Sequence, residues 1–512
     1  MGQDRLLAID VGTTGLKAAV FDQHGTLLLH AQREYPTEHP HHNWAEQSPE
    51  AWWEALCAAL QELWSLSPEL PGQIAGVAVS AQAPAAVFVD ERGKPTRAAL
   101  IWMDRRADTQ CRAMTQQVGA DRVQQLSGNG IDPFYSAAKI LWVAENEPAV
   151  FARTHQILQV NGYVVQKLCG AFTMDITHGT LTGLFDHHAG QWSQELCTAL
   201  GVPLTKLPAV FPCSEVVGQV QTQAALETGL REGTAVLAGT VDGVAAAMEA
   251  GVVRSGQAAE MTGTSTVLLM STDEPVIEPR MTMMYHAIPG QHLLLGTMVS
   301  TGASLKWFRD QLGGAERMVA ESLGQDTFSL LCREAGRASQ GSGGVVFLPY
   351  MLGERSPIWD SNARGVFFGV SLNSSRGDII RSILEGTSFG LRHNVDVATE
   401  TGVKVHELRS VGGGARDDLW CQIKADVLGI PVLQMGTSLG APLGDAALVA
   451  TACGFSETAT DYLERSVTIT KRFEPDQRRH RSYDAMYRLY RQLYPALKDV
   501  FSLHAQLREE LR

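Results

Sequence analysis

Residues 6–17, with the sequence LLAIDVGTTGLK, decide the fold of this 512-residue chain. Their apolar residues continue to Val11 and are interrupted only by Asp10, a pattern typical of a strand buried on both faces of a sheet. Residues 12–15 turn the chain, and a second apolar run follows at residues 16–21. The stretch therefore predicts two strands joined by a tight, glycine-containing turn.

The turn has the chemistry of an anion-binding site. Gly12 lets the backbone approach a ligand closely, and successive N–H groups in such a turn form a cradle for phosphate. Thr13 and Thr14 add hydroxyl groups, and Asp10, at the end of a buried strand, needs a partner such as a hydrated Mg²⁺ ion. The alternative is an ordinary hairpin turn with a capping aspartate, and the motif alone does not decide between the two.

A helix and further strands surround this hairpin in the sequence. Residues 49–65 carry apolar side chains at helical spacing and predict a helix, and residues 74–80 predict a strand. Because strands precede and follow a helix, the pattern favours an α/β domain over an all-helical one.

The second half of the chain repeats the plan of the hairpin. Residues 262–264 read Thr-Gly-Thr, and an apolar run at residues 266–270 follows directly. The repetition predicts an internal duplication with two domains, residues 1–254 and residues 255–512, of which the second ends in a charged helical tail. Two such turns that face one cleft would hold a polyphosphate from both sides.

The composition excludes several classes of protein. Lys and Arg number 42 against 55 Asp and Glu, so the net charge of −13 argues against nucleic acid as a partner. The eight cysteines are scattered, and neither a signal peptide nor a long uncharged apolar run is visible, so we expect a cytoplasmic protein without membrane contact. The P-loop, nucleophile-elbow and H-E-x-x-H motifs are absent from the sequence.

Two further positions carry candidate chemistry. Residues 412–414 are three glycines between a predicted strand and a predicted helix, which allows a flat ligand such as adenosine to approach closely. Asp242 lies between a strand of small residues and an alanine-rich helix, and is either the N-cap of that helix or a base for a substrate hydroxyl. His39, His41 and His42 favour a polar loop between prolines over a metal site.

Together these motifs resemble the FGGY family of carbohydrate kinases over residues 6–454. The matching stretches occur in the family's order and are AIDVGTTGLKAAVFD, IWMDRRA, VDGVAAAMEAGVV, MTGTST, STGASLKWF, FLPYMLGERSPIWDSNARGVFFG and SVGGGARDDLWCQIKAD. The resemblance implies an α/β fold of two actin-like, ribonuclease-H-like ATPase domains with a central cleft. It also implies in-line transfer of the γ-phosphoryl group of MgATP to a hydroxyl of a small sugar or polyol, with domain closure that excludes water.

The same resemblance implies roles for individual residues. Asp242 corresponds to the family's catalytic base, and Asp10 lies near the Mg²⁺ ion. The nucleotide-binding positions are Gly12, Thr13, Thr14, Thr262, Gly263, Thr264, Gly302, Lys306, Gly413, Gly414 and Asp418. The substrate side comprises Gln82, Ala83, Pro84 and Gly243, together with three candidates for hydroxyl recognition, Trp102, Asp104 and Arg106.

Within the family the chain is most similar to the xylulokinases, so D-xylulose is the first substrate to expect. Two departures put the sugar in question. Xylulokinases have Met-His after the glutamine that matches position 82 and Asn after the catalytic aspartate, whereas this chain has Ala83-Pro84 and Gly243. Gluconate, another ketopentose, a polyol and glycerol are the alternative substrates.

Functions of other classes also stay open at this point. One is an actin-fold protein that senses a sugar or nucleotide without turnover, and another is an actin- or chaperone-like ATPase. The presence of Asp10, Asp242 and both phosphate turns favours the kinase. The sequence leaves open which hydroxyl is phosphorylated and whether the protein is a homodimer.

Overall fold

Two mixed β-sheets form the frame of the computed structural model, which describes residues 2–436 and 439–511. The strands of the N-terminal half are β1 (Arg5–Val11), β2 (Gly15–Asp22), β3 (Leu27–Glu34), β4 (Glu46–Gln47), β5 (Ile74–Ala81), β6 (Val87–Val89), β7 (Ala99–Leu100), β8 (Gln156–Leu158), β9 (Thr173–Asp175), β10 (Phe185–Asp186), β11 (Gln191–Trp192), β12 (Ala209–Phe211), β13 (Val216–Gln219), β14 (Ala235–Leu237) and β15 (Thr240–Val241). The strands of the C-terminal half are β16 (Gln257–Thr262), β17 (Thr266–Thr272), β18 (Thr282–Tyr285), β19 (His292–Met298), β20 (Val346–Leu348), β21 (Val366–Phe368), β22 (Glu407–Gly412), β23 (Val432–Met435) and β24 (Ile469–Phe473).

Helices cover both sheets. Those of the N-terminal half are α1 (Pro49–Leu66), α2 (Asp108–Gln117), α3 (Ala120–Ser127), α4 (Ser136–Asn146), α5 (Pro148–Arg153), α6 (Val160–Cys169), α7 (Ile176–Thr180), α8 (Gln194–Ala199), α9 (Thr222–Thr228) and α10 (Asp242–Glu249). Those of the C-terminal half are α11 (Thr301–Leu312), α12 (Gly314–Leu323), α13 (Thr327–Ala335), α14 (Arg376–Glu400), α15 (Asp418–Leu428), α16 (Pro442–Ala452), α17 (Ala459–Ser466) and α18 (Gln477–Glu510).

Five strands of each large sheet have the same order and relative directions, β3-β2-β1-β5-β14 in the first sheet and β19-β17-β16-β22-β23 in the second. The first has the order β13-β14-β5-β1-β2-β3, with β15 also beside β5, and the second has the order β24-β23-β22-β16-β17-β19-β18. In each sheet the first strand of the hairpin is antiparallel to the second strand and parallel to a later strand, β5 or β22. The repeated order is what an internal duplication requires, while the boundary between residues 254 and 255 stays a prediction.

The register of the first sheet gathers polar residues at one edge. Asp10 pairs with Lys17 across the β1–β2 hairpin and with Ser80 on the parallel strand β5. Strand β15 is also parallel to β5 and ends directly before Asp242. Because the carboxyl ends of parallel strands meet at the same edge of a sheet, Asp10 and Asp242 come to the end at which open α/β sheets bind ligands.

One helix of the C-terminal half packs on the first sheet. Helix α16 contacts β1, β5 and α10, and its Ala446 and Val449 lie in a hydrophobic cluster with Leu6, Ala8 and Val244. All five side chains are fully buried. The two halves therefore share a hydrophobic core, so residues on α16 lie close to the phosphate turn of the N-terminal half.

The predicted elements agree with the structure except at their ends. The helix predicted at residues 49–65 is α1, and the strands predicted at residues 74–80 and 266–270 are β5 and β17. Differences of one or two residues at a terminus are expected, because the ends of helices and strands are weakly defined. Among the helices that the structure describes, none is both long and apolar enough to cross a membrane.

Candidate active site

Hydrogen bonds hold the turn at residues 12–15 in one shape; because phosphate is its predicted ligand, we call it the first phosphate turn. The Gly12 N–H donates to the Gly15 carbonyl at 3.0 Å, and the Tyr35 hydroxyl donates to the Gly12 carbonyl. The indole N–H of Trp102 donates to the Thr13 hydroxyl at 2.9 Å. Trp102, a predicted substrate residue, therefore contacts the phosphate turn directly.

Asp10 has one carboxylate oxygen without a partner. Its Oδ2 lies 3.3 Å from the Lys17 ammonium, whereas its Oδ1 is buried and accepts no hydrogen bond. Burial raises the pKa of Asp10, and the charge of Lys17 opposes that shift. A buried acceptor without a partner is costly unless a ligand binds it. The site fits Mg²⁺, which binds carboxylate oxygens and takes further ligands from water and phosphate.

A second buried carboxylate, which the sequence analysis did not single out, lies close to Asp10. Asp445 on α16 is fully buried and accepts a hydrogen bond from the Ser80 hydroxyl at 2.6 Å. Burial raises the pKa of Asp445 well above its usual value, and the charge of Asp10 adds to the shift. The negative charge of Asp10 therefore favours the protonated form of Asp445. In the sequence, Asp445 is recognisable only as a single acidic residue within an apolar helix.

Asp242 is the first residue of α10, and Val241 before it is the N-cap of that helix. The Asp242 carboxylate accepts from the adjacent Gly243 N–H at 2.6 Å, and the helix has no side-chain cap. Burial and the nearby charge of Asp10 raise the pKa of Asp242 to about 7. The geometry therefore does not support the helix-cap alternative, and a carboxylate that ionises near neutral pH suits a general base.

A buried network holds the strand that ends at Asp242. The Thr177 hydroxyl accepts from the Val241 N–H at 3.0 Å, and it donates to Asp175 at 2.5 Å. His178 Nδ1 lies 2.6 Å from the other oxygen of Asp175, so a neutral imidazole carries its proton on Nδ1. Sequence reasoning missed these residues because the turn from β9 into α7 looks like an ordinary helix start, and Asp175 is indeed the N-cap of α7.

The second phosphate turn lines a cavity of about 470 Å³ in the C-terminal half. The cavity brings together seven of the predicted nucleotide residues, which are Thr262, Gly263, Thr264, Gly302, Lys306, Gly413 and Gly414. Phe328 and Trp420 also line it. The sequence analysis did not single out either aromatic residue, because apolar side chains at helical spacing are usually core. Aromatic faces beside a glycine-rich edge suit a flat base.

Gly302 is required by a close approach of two backbones. A Cβ atom at this position would lie 2.0 Å from the Gly263 carbonyl oxygen. The Ala303 N–H donates to the Thr264 carbonyl at 2.9 Å, so the N-terminus of α11 is held against the second phosphate turn. The free N–H groups of a helix N-terminus favour an anion such as phosphate.

Asp418 does not line the cavity, although the family resemblance predicts that it lies beside the nucleotide. Its carboxylate forms an exposed ion pair with Lys471, and 61% of its side chain is exposed. The neighbouring Asp417 lines the cavity instead. Asp417 is the N-cap of α15 and accepts from the Leu419 and Trp420 N–H groups at 3.0 and 3.3 Å. The cap requires the side chain of Asp417 to fold over the helix start, and Asp418 then points away.

Asp104 and Arg106 bind each other. Arg106 donates through Nε and Nη2 to Asp104 at 2.9 and 2.7 Å, and Asp104 is fully buried and also accepts from the Ala45 N–H at 2.7 Å. The Arg106 guanidinium lies 3.6 Å from the ring centroid of Trp44. Most of the polar groups of this pair are therefore bonded within the protein, whereas Arg106 Nη1 is buried without a partner, and recognition of substrate hydroxyls by the pair stays a prediction.

Of the predicted substrate residues at positions 82–84 and 243, only Gln82 has a polar side chain. Gln82 donates through Nε2 to Gln47 at 2.7 Å, and its Oε1 is buried without a partner. Ala83 and Pro84 follow Gln82 and are joined by a cis peptide bond. At Gly243, nothing lies within 4 Å of the position that a Cβ atom would take. At positions 83, 84 and 243 the chain therefore has small apolar residues and, beside Gly243, free space.

Known proteins match the chain over most of its length. The model of the FGGY family of carbohydrate kinases, N-terminal domain, matches residues 5–248, and that of its C-terminal domain matches residues 258–453. A xylulose kinase of Lactococcus lactis is 30% identical over 97% of both chains, and a gluconokinase of Bacillus subtilis is 26% identical over 82% of both. The crystal structure of a xylulose kinase from Rhodospirillum rubrum is similar with a TM-score of 0.90 at 29% identity, and the match covers 97% of this chain and 100% of that one.

Proposed function

Because the chain belongs to the FGGY family of carbohydrate kinases, we propose that it transfers the γ-phosphoryl group of ATP to a hydroxyl of a ketopentose, with D-xylulose as the first substrate to test. The kinase family implies ATP as the donor, and the sugar comes from the xylulose kinases that the chain resembles. The observation that carries the proposal is Asp242, a carboxylate with a pKa of about 7 at the ligand-binding edge of the first sheet.

Asp242 takes the proton of the attacking hydroxyl in this proposal. A sugar hydroxyl is a weak nucleophile, and its proton has to leave as the phosphoryl group arrives. A carboxylate with a pKa near the working pH is both ionised in part and basic enough to accept that proton. The bond from the Val241 N–H to Thr177 keeps Asp242 in place, and the absence of a side chain at Gly243 leaves room for the substrate.

Asp10 is the residue that would hold the Mg²⁺ ion of the nucleotide. Its Oδ1 has no partner within the protein, and Lys17 orients the carboxylate and opposes the rise in its pKa. The described residues contain no group of three His, Cys, Asp or Glu side chains that could hold a metal ion, and Mg²⁺ bound with a nucleotide commonly uses one or two carboxylates and phosphate oxygens. When bound, the ion neutralises charge that develops on the phosphates.

The remaining contacts to ATP divide between the two halves of the chain. Gly12 would let the backbone come close to the phosphate, and the N–H and hydroxyl groups of Thr13 and Thr14 would bind phosphate oxygens next to Asp10. The turn at residues 262–264 and the N-terminus of α11 would bind phosphate from the other side. The cavity between this turn and Gly414 would hold the adenosine.

Gluconate is the second candidate substrate. The polar contacts that xylulokinases place after residues 82 and 242 are missing here, and a gluconokinase is among the relatives. A buried sugar hydroxyl without a partner costs about 1–3 kcal/mol. We therefore expect kcat/KM for D-xylulose to be roughly 5- to 150-fold below that of the best substrate, unless another residue replaces the contacts.

An ADP-release screen of ketopentoses, pentitols, gluconate and glycerol tests the proposal. The expected result is ADP release that depends on the added hydroxyl compound and that gives a phosphorylated product. ATP hydrolysis at the same rate with and without a hydroxyl acceptor would contradict the kinase assignment. If D-xylulose were the best substrate and a complex showed no replacement contact, the inference from Ala83-Pro84 and Gly243 would be wrong.

A further inference from the structure

A buried ion pair lies directly beneath the proposed nucleotide cavity. Glu260 on β16 and Lys424 on α15 are almost completely inaccessible to solvent, and the Lys424 ammonium contacts Glu260 Oε1. The same ammonium donates to the Ser410 hydroxyl at 3.1 Å and to the Gly414 carbonyl at 3.1 Å. The three donors of the ammonium thus have three acceptors, one of which is the backbone of the glycine loop that lines the cavity.

The other end of the pair reaches the second phosphate turn. Glu260 Oε2 accepts a hydrogen bond from the Thr262 hydroxyl, and Oε1 also accepts from Ser410. The Thr262 hydroxyl lies 2.7 Å from that of Thr266 across the hairpin. One ion pair is therefore bonded to both loops that line the cavity, to Thr262 on the phosphate side and to Gly414 on the adenosine side.

The two loops are also in direct contact above the ion pair. A Cβ atom on Gly414 would lie 2.6 Å from the Thr262 Cγ2 atom, so the glycine loop and the threonine turn are packed as closely as their backbones allow. Lys424 Nζ lies 5.2 Å from the ring centroid of Trp420, which lines the cavity as well. Three parts of the cavity wall thus depend on the position of one ammonium group.

Stability alone does not account for such a pair. Removing two charges from water is costly, and replacing a buried ion pair with apolar residues of similar volume is often neutral or stabilising, whereas removing one partner is strongly destabilising. Because stability does not in general require such a pair, its bonds to both loops that line the cavity point to a further role.

We propose that the Glu260–Lys424 pair is a positioning device for the nucleotide, which fixes the threonine turn and the glycine loop relative to each other so that both bind one ATP molecule. The inference rests on the proposed assignment of the cavity to ATP. The pair acts through Thr262 and Gly414 and does not itself touch the substrate, so it governs nucleotide affinity and not the proton transfer at Asp242.

The test compares a double variant with the wild-type protein. Glu260→Leu with Lys424→Met removes both charges at similar volume and leaves no unpaired buried charge, so the variant should still fold, with a lower melting temperature because Ser410 and Gly414 lose buried hydrogen bonds. We expect Kd for ADP, measured by calorimetry, to rise about 10- to 100-fold, the range found when partners that orient a ligand-binding residue are lost. KM for ATP should rise with it, while KM for the sugar and kcat at saturating ATP change less than about threefold.

A matched control comes from a second buried ion pair in the same half. Arg381 and Glu385 on α14 form a buried pair that contacts neither loop of the cavity. The double variant Arg381→Met with Glu385→Leu should leave Kd for ADP unchanged even if its melting temperature changes. An equal loss of nucleotide affinity in this control would mean that any buried charge in the domain has the same effect, and would overturn the inference.

Several outcomes decide against the proposal. A folded Glu260→Leu, Lys424→Met variant with wild-type Kd for ADP would reduce the pair to core packing. Should that variant fail to fold, Glu260→Asp keeps the charge and shortens the reach to Thr262 by one methylene, and an unchanged Kd for ADP would again overturn the inference. If the wild-type protein bound no adenine nucleotide, the proposed function would fail first, and the positioning role with it.

Discussion

The two turns proposed to bind phosphate occupy the same place in two sheets that share the order of five strands, yet the carboxylates beside them differ. Asp10 next to the first turn has one oxygen near Lys17 and one buried oxygen without a partner. Glu260 next to the second turn has both oxygens in hydrogen bonds. Buried polar groups in proteins are almost always paired. The unpartnered oxygen of Asp10 is therefore a candidate position for a ligand, whereas Glu260, with both oxygens bonded, is a candidate for holding other residues in place.

Side-chain alternation explains the difference. Asp10 lies two residues before Gly12, whereas Glu260 lies three residues before Gly263. Successive side chains of a strand point to opposite faces, so at equivalent turns the two carboxylates lie on different faces of their sheets. The face that carries Asp10 is the one proposed to bind the ligand, whereas the face that carries Glu260 lies against α15, the helix of Lys424.

The largest effect is expected from Asp242→Asn, at the same edge of the first sheet as Asp10. The substitution keeps the shape of the side chain and removes its basicity, so kcat should fall by about 10²- to 10⁴-fold. Kd for ATP should barely change, because the proposed nucleotide contacts lie elsewhere. Steady-state kinetics with the best substrate and calorimetry with ATP measure the two quantities.

The same variant also tests the helix-cap alternative for Asp242. Asparagine is as good an N-cap as aspartate, so a protein that uses Asp242 only to cap α10 would keep nearly normal turnover. That outcome would remove Asp242 from the mechanism.

Asp10→Asn is expected to have the next largest effect. It removes the charge that the open Oδ1 offers to Mg²⁺, so the Mg²⁺ concentration for half-maximal activity should rise about 10- to 100-fold. A titration of activity with Mg²⁺ at fixed ATP measures it. The Glu260→Leu, Lys424→Met variant is the matched control, because its nucleotide affinity should fall at every Mg²⁺ concentration. If the Mg²⁺ concentration for half-maximal activity changed equally in both variants, Asp10 and Glu260 would not differ in the way that their hydrogen bonds indicate.

Local motifs made part of this site predictable from the sequence. Asp10, Gly12 and the turn of residues 262–264 lie within short stretches whose spacing reflects one hairpin, and the family resemblance extended the assignment to Gly302 and Gly413. The supports of these residues come from far along the chain. Asp445 bonds to Ser80 across 365 positions, and Val241 bonds to Thr177 across 64. No local pattern reports such pairs, because each partner alone looks like an ordinary buried polar residue.

The pH dependence of the wild-type enzyme is the third prediction. Because the pKa of Asp242 is raised to about 7 by burial and by Asp10, its basic form disappears below that pH. We expect kcat/KM to fall about tenfold per pH unit on the acid side. A profile that is flat from about pH 5 to pH 8 would mean that the base is a group other than Asp242.

The same shift in pKa predicts a pH-dependent change in stability. Aspartate in an unfolded chain has a pKa of about 3.9, so the folded protein binds the proton of Asp242 more tightly than the unfolded chain does. The stability that this proton contributes is fully present below about pH 4 and is lost as the pH rises through about 7. The melting temperature of Asp242→Asn, relative to the wild type, should therefore be higher at pH 8 than at pH 5.

The smallest effects are expected from Asp417→Ala and Asp418→Ala at the start of α15. The informative quantity is the difference between the two variants in Kd for ADP. Asp417→Ala removes an N-cap inside the cavity, which costs about 0.5–2 kcal/mol, and Kd for ADP should rise by up to about tenfold as the helix start loosens. Asp418→Ala removes an exposed ion pair with Lys471, and such pairs contribute about 0–1 kcal/mol, so Kd should change less than about twofold. The family resemblance implies a nucleotide contact for Asp418, whereas Asp417 is the residue of the two that lines the cavity. A larger loss of affinity in Asp418→Ala would restore the assignment by resemblance, because it would show that the exposed carboxylate turns toward the nucleotide when the cavity is filled.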